Sequence, residues 1–177
     1  KLPADIEPGF YEHGDFGSDA GAVYPNGAHL AEVEIDAETG KVELVSYCCV
    51  NEAGTILNPL LFNGQVHGGI AQGAGQILME DVNYDEENGQ LLSGSFMDYV
   101  IPRADDFCNF DITANVVPTE RNPLGVKGVG EAGTVGAMPA VMNAVNDAMN
   151  RIGAPAIEMP ATAEKVWRAM QEAGKGA

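Results

Sequence analysis

A chain of 177 residues, 45% apolar and with 22 glycines, is long enough for one domain with its own core and many tight turns. Its 26 acids against 9 bases leave a formal charge of −17, which argues against a nucleic-acid or anionic-membrane surface, since both need basic patches. No apolar run reaches membrane-spanning length, and Cys48, Cys49 and Cys108 have neither a disulfide framework nor zinc or iron–sulfur ligand spacing.

Residues 1–27 hold five glycines and three prolines and read as an irregular N-terminal arm, with 28–177 as a single domain. So long a structureless stretch is unusual inside a compact domain, so the arm is expected to pack against, or continue from, something outside this sequence. A start at Lys1 leaves room for an upstream portion. No basic, apolar leader is visible, and the expected location is cytoplasmic.

Residues 28–35 alternate, with Ala31, Val33 and Ile35 on one side and Glu32 and Glu34 on the other, which predicts a half-buried strand. DAETG at 36–40 is a turn with Gly40 at the special backbone angle. Residues 41–50, rich in β-branched and aromatic side chains, form the returning strand of a hairpin. Cys48 and Cys49 fall on its opposite faces and are expected as buried free thiols.

After a loop to Pro59, Val66, Ile70, Gly73 and Ile77 recur at helical spacing and predict a helix over 65–80. Its glycines admit either a tightly packed neighbouring helix or a cofactor laid across it. Gln65 and Gln72, seven apart, share a face; they are either solvent-facing or ligand-facing. Residues 82–84 and 90–96 flank an acidic Asn88-Gly89 turn and read as a second hairpin. Residues 97–106 read as a surface loop. Residues 110–117 alternate as a strand, with Phe110, Ile112, Ala114 and Val116 inward.

Residues 122–134, NPLGVKGVGEAGT, carry four glycines, one lysine and one acid, Glu131. Glycine costs about 1 kcal/mol in a helix or strand, so the stretch predicts a loop that passes very close to something else. Two readings stand on the residues alone: a proton-abstracting base beside a bound cofactor, or a turn with an incidental surface glutamate, the commoner fate of an acid. A helix follows over 137–151, with Val141, Val145 and Met149 as its stripe and Gly153 and Pro155 ending it. Thr162 caps a last helix whose packed face is Val166, Trp167 and Met170.

Five ordered blocks, NGAHLAEVEIDAETGKVEL, ILNPLLFNGQVHGGIAQGAGQ, GSFMDYVIPRADD, NPLGVKGVGEAGT and ATAEKVW, resemble the C-terminal part of the molybdenum-binding large subunit of the molybdenum hydroxylases. That family includes xanthine dehydrogenases, aldehyde oxidases and oxidoreductases, and carbon monoxide dehydrogenases. The resemblance implies an α+β fold, with antiparallel hairpins or a sheet packed against about three helices. It implies a molybdenum–molybdopterin cofactor, in bacteria commonly a dinucleotide such as the cytosine form, shared with a missing part of the subunit. Glu131 matches the family's active-site glutamate, and Gln72, with Gly73 beside it, matches the glutamine near the pterin. Lys127, Gly128 and Gly130 fall in the loop lining the molybdenum site, Lys127 pairing with either the cofactor or a structural carboxylate.

The implied chemistry is oxidative hydroxylation of an aldehyde or N-heterocycle with water as oxygen source. Glu131 is the general base toward a molybdenum-bound hydroxyl, and hydride passes to a sulfido ligand. Partner domains or subunits carry FAD and 2Fe-2S clusters. The chain departs from the family in its length and in lacking the copper-binding cysteine motif of the carbon monoxide enzymes. Asn51-Glu52-Ala53-Gly54 also stands where relatives show an acidic pair, a difference read as structural. The alternative is a structural or assembly domain, inactive alone and prone to self-association. A carbohydrate- or peptide-binding module lacks an aromatic platform, and electron transfer by this chain lacks iron–sulfur ligands.

Overall fold

The computed structural model describes residues 21–174 together with Pro3, Gly9, Phe10, His13 and Gly14. Most of the expected arm therefore lies outside the described residues. Residues 21–25 have no regular structure, and Asn26 and Gly27 already belong to the first strand.

Strands β1 (Asn26–Ile35) and β2 (Val42–Glu52) pair antiparallel, as the alternation and the DAETG turn predict. Gly40 takes φ +73° and sits where any Cβ would strike the backbone of Ala163 and Trp167, so the hairpin turn is seated on the last helix. The register shifts between Glu32 and Val33, opposite Val45. Leu44, Tyr47, Cys49 and Asn51 are consequently the buried side of β2, with a step of three at the bulge and two thereafter.

Strand β3 (Phe110–Ala114) pairs with β2 in parallel, giving the order β1-β2-β3. The fold is α+β as expected, but its sheet is mixed rather than purely antiparallel. The crossover from β2 to β3 carries a whole helix, as a parallel connection requires. Only Phe110 and Ile112 of the expected inward set are half-buried. Ala114 and Val116 are exposed, because the strand ends at Ala114. The second expected hairpin shrinks to one bridge, Tyr84 to Leu91, flanked by Asp85 N–H to Gln90 O and Leu92 N–H to Asn83 O.

Helix α1 (Pro59–Leu78) starts earlier than its apolar stripe suggests. Asn58 Oδ1 accepts from the N–H groups of Leu60 and Leu61, and Pro59 supplies a helical φ without needing a partner for an N–H. Helix α2 (Ala132–Arg151) buries Gly133, Ala137, Val141, Val145 and Met149 along one line. Helix α3 (Ala163–Gly174) buries Val166 and Ala169, while Trp167 stays 40% exposed, at the rim of the core rather than in it.

Helix α2 packs on both α1 and β1, so the core forms where the two long helices meet the sheet. Glycines set the spacing. A Cβ on Gly133 would lie 2.5 Å from Val66 O, and one on Gly73 would lie 2.9 Å from Thr134 O. Of the two roles open to the α1 glycines, helix packing accounts for Gly69 and Gly73. Of the two adjacent thiols, only Cys49 is buried; Cys48 is exposed on the opposite face. Among the described residues no helix is long and apolar enough to cross a membrane.

Candidate functional site

The glycine-rich loop is fastened at one end and open at the other. Asn122 clasps it, its side chain donating to Val126 O at 2.9 Å and accepting from Val126 N–H at 3.1 Å. Gly125, at φ +67°, gives its carbonyl to Thr55 N–H at 2.8 Å, and Lys127 N–H donates to Ala53 O at 3.0 Å. These bonds lay residues 125–127 along the chain leaving β2, with Gly54 and Val126 forming a bridge.

Side chains lock the same junction. Lys127 Nζ stands 2.5 Å from Glu52 Oε2, and only 14% and 9% of the two side chains are exposed. Glu52 Oε1 accepts from Gly54 N–H at 2.6 Å, and Oε2 also accepts from Asn26 Nδ2 at 3.2 Å. Burial alone would raise the Glu52 carboxyl, but hydrogen bonds from Lys127, Gly54 and Asn26 and the ammonium charge outweigh it and hold the group below its ordinary value. Of the two partners open to Lys127, the structure supplies the structural carboxylate.

Beyond Lys127, Val129 packs against the core and its carbonyl accepts from Ala132 N–H at 3.1 Å, while the glycines on either side of it are open. Gly128 has open space around its Cβ direction, and Gly130 meets only Gln65 Nε2, at 3.6 Å. Helix α2 begins after Glu131, so AGT of the glycine-rich stretch is helical rather than loop. Glu131 occupies the N-cap position, exposed and making no capping bond with its side chain. It lines a cavity of about 300 Å³ with Asn26, Gly27, His29, Asn51 and Val135. Lys127 and Val129 line a second cavity of about 310 Å³ with Gln65, Leu61 and Phe62. The loop therefore runs between two concavities.

Gln72 is not among the residues lining the Glu131 cavity. Its Oε1 lies 3.2 Å from Thr134 Oγ1 and shares that hydroxyl's single hydrogen with Gly69 O, at 3.1 Å. Gln72 is thus tied to the first turn of α2, one turn beyond Glu131. Gly73 is buried under that helix. Among the predicted set, Glu131, Gly128, Gly130 and Lys127 share one loop, and Gln72 joins them through Thr134.

A polar network in the wall of the Glu131 cavity was missed from the sequence. His29 Nδ1 lies 2.6 Å from Tyr47 Oη, and His29 Nε2 lies 3.2 Å from Asn51 Oδ1. That oxygen can only accept, so Nε2 donates to it. Asn51 Nδ2 in turn donates to Cys49 Sγ at 3.2 Å. Burial, with the two neighbouring thiols, drives the Tyr47 phenol far above its ordinary range, so it stays a neutral donor. The signal was present: His29 has the inward parity of Ala31 and Val33, and Asn51 that of Cys49.

A family described as the molybdopterin cofactor-binding domain matches residues 6–108. The chain belongs to that family. Its relatives include the nicotine 6-hydroxylase large subunit of Paenarthrobacter nicotinovorans, 41% identical over 96% of this chain and 20% of the relative. The carbon monoxide dehydrogenase large chain of Afipia carboxidovorans is 34% identical over 97% of this chain and 21% of the relative. Among solved structures, quinoline 2-oxidoreductase from Pseudomonas putida 86 superposes with a TM-score of 0.80, 40% identical over 84% of this chain and 19% of that one. This molybdopterin cofactor-binding domain thus spans about a fifth of the length of the relatives it matches.

The open part of the loop has the space and the unpaired donors that binding a pterin would need. Space is free where Gly128 would carry a side chain, and the amide side chain of Gln65 stands beside Gly130. Among the described residues no hydrogen bond takes the N–H groups of Gly128, Gly130 or Glu131, so they are available to an oxygen- and nitrogen-rich ring system at the positive end of a 20-residue helix. No group of three or more His, Cys, Asp or Glu among the described residues could hold a metal directly. A metal carried by its pterin needs none.

Proposed function

We propose that the chain forms one wall of the active site of a molybdenum hydroxylase and is inactive without the rest of the molybdenum-binding subunit. The supporting observation is Glu131, an exposed carboxylate at the start of α2 that makes no capping bond and lines a cavity open to solvent. The free amides of Gly128 and Gly130, with Gln65 and Gln72, would hold the molybdopterin or its cytosine dinucleotide form, while Gly73, buried under α2, serves the helix contact instead. When bound, that group supplies Lewis acidity and a two-electron sink.

The chain's own work is proton transfer and positioning. The Glu131 carboxylate accepts a proton from a water-derived hydroxyl, raising its nucleophilicity toward an electron-poor carbon. Lys127 is turned into its pair with Glu52 and so serves the loop rather than the reaction. The substrate class is an aldehyde or N-heterocycle. The names of the relatives at 40% and 41% identity, acting on quinoline and nicotine, lean to the heterocycle. FAD and 2Fe-2S clusters on partner subunits or domains would carry the electrons away.

The second reading, an assembly domain without a catalytic role, follows from the same one-fifth coverage. Glu131→Gln in the assembled enzyme separates the two. Loss of about 10²–10⁴ in turnover with molybdenum and pterin content unchanged supports the base. Unchanged turnover removes Glu131 from the chemistry and leaves the assembly role.

A further inference from the structure

We propose that Glu52 is a positioning residue for Glu131, its carboxylate tying the loop that carries Glu131 to the wall of the cavity that Glu131 faces. The inference rests on the reading of Glu131 as the base. Glu52 Oε1 takes the Gly54 N–H, and Oε2 takes both Lys127 Nζ and Asn26 Nδ2. Three segments that are distant in sequence thus meet at one carboxylate: the start of β1, the exit of β2 and the glycine-rich loop.

The geometry makes this more than a local ion pair. Asn26 lines the Glu131 cavity, whereas Lys127 lines the cavity on the other side of the loop. Between Lys127 and Glu131 lie Gly128, Val129 and Gly130, two of them without a side chain to resist rotation. Backbone bonds tie the loop to the chain leaving β2 only as far as Lys127; beyond it, Val129 O accepts from Ala132 N–H at the start of α2, at 3.1 Å. The direction in which Glu131 leaves the loop is therefore set from two ends, α2 on one side and the Glu52 junction on the other. The pair is nearly covered, so solvent screening does little to weaken it. Glutamine at 52 would keep the shape but offer only one acceptor oxygen to three donors.

The test uses the enzyme purified with its natural partners, in Glu52→Gln, Lys127→Met, Lys127→Arg and Asn26→Ala forms, with Asp147→Asn as a surface-charge control. Hydrogen exchange is followed by mass spectrometry, and kcat and KM are measured separately. Expected for Glu52→Gln is exchange of the hydrogen-bonded loop amides, Gly125, Val126 and Lys127, faster by at least about tenfold, with α1 and α2 unchanged. Turnover should fall about tenfold to a hundredfold with KM held within about twofold, the scale of loss when a reacting group is misplaced. Lys127→Arg should restore most of kcat, and Asn26→Ala, which spares the ion pair, should reproduce part of the loss. Unchanged exchange over the loop, or a loosened loop with unchanged kcat, overturns the proposal. So does a general loss of protection across both helices, which makes Glu52 a fold-stabilising residue only. If Glu52→Gln does not assemble, Asn26→Ala decides by the same criteria. Retention of turnover by Glu131→Gln would instead strike the underlying reading, while the exchange result would still report on the clamp.

Discussion

Glu52 answers acid in a direction its surroundings fix. Its carboxyl titrates below the ordinary value of 4.5 because Lys127, Gly54 and Asn26 together outweigh burial. A folded-state value below the unfolded one means that the group stabilises the fold fully above about 4.5, and that this is lost as pH falls through the lower folded value. The stability gap between wild type and Glu52→Gln should therefore be constant from neutral pH down to about 5 and shrink below 4.5, measured by denaturant unfolding at each pH. A gap that closes between pH 7 and 5 would point to another group. The paired cysteines give a second residue-scale test. Burial, with smaller contributions from the Cys48 and Asp111 charges, pushes the Cys49 thiol up to about 11, even though Asn51 donates to it. Cys48 is exposed on the other side of the same strand. At pH 8 a thiol reagent should modify Cys48 quickly and leave Cys49 untouched until denaturant is added. Survival of the fast phase in Cys48→Ser would contradict that assignment.

Among the elements, α1 and α2 show what periodicity can and cannot report. Their buried stripes, Val66 with Ile70 and Ile77, and Val141 with Val145 and Met149, were readable because burial follows the helical repeat. Which glycine faces which neighbour was not, since a glycine leaves the pattern unchanged whether its side is open or pressed against a backbone. Gly133 meets Gly69 with a Cβ-to-Cα clearance of 3.0 Å, whereas Gly64 and Gly68 of α1 have nothing within 4 Å. Gly133→Ala should therefore cost about 1–3 kcal/mol by forcing the helices apart, and Gly68→Ala should gain up to about 1 kcal/mol from helix propensity alone. Urea midpoints of the two variants must move in opposite directions; the same sign for both would mean that the interface relaxes freely. The parallel β3 was hidden for a related reason: alternation assigns a face but is silent on strand direction. Glu131 was legible as a lone acid in a glycine-rich loop. Its partners were not, because Glu52 and Lys127 stand 75 positions apart and no local pattern links them.

At the scale of the whole molecule, two opposing forces act on the chain when it stands alone. Helix α1 begins with Leu60 and Leu61 turned outward, Leu60 being 79% exposed, and Leu57 and Leu124 are exposed as well. Exposed apolar groups of this size favour association, and in the proposed enzyme the rest of the molybdenum-binding subunit would cover them. A net charge of −17 opposes association between identical copies. Repulsion reaches across about 10 Å at 0.1 M salt and only about 3 Å at 1 M, while burial of apolar surface is not weakened by screening. The isolated chain is therefore expected to sediment as a monomer at low ionic strength and to self-associate as salt is raised. Leu60→Ser combined with Leu61→Ser should suppress the high-salt species and, in the full assembly, weaken retention of the remaining subunit. Association that weakens with salt would instead assign the contact to ion pairs, and the outward leucines would then need a different explanation.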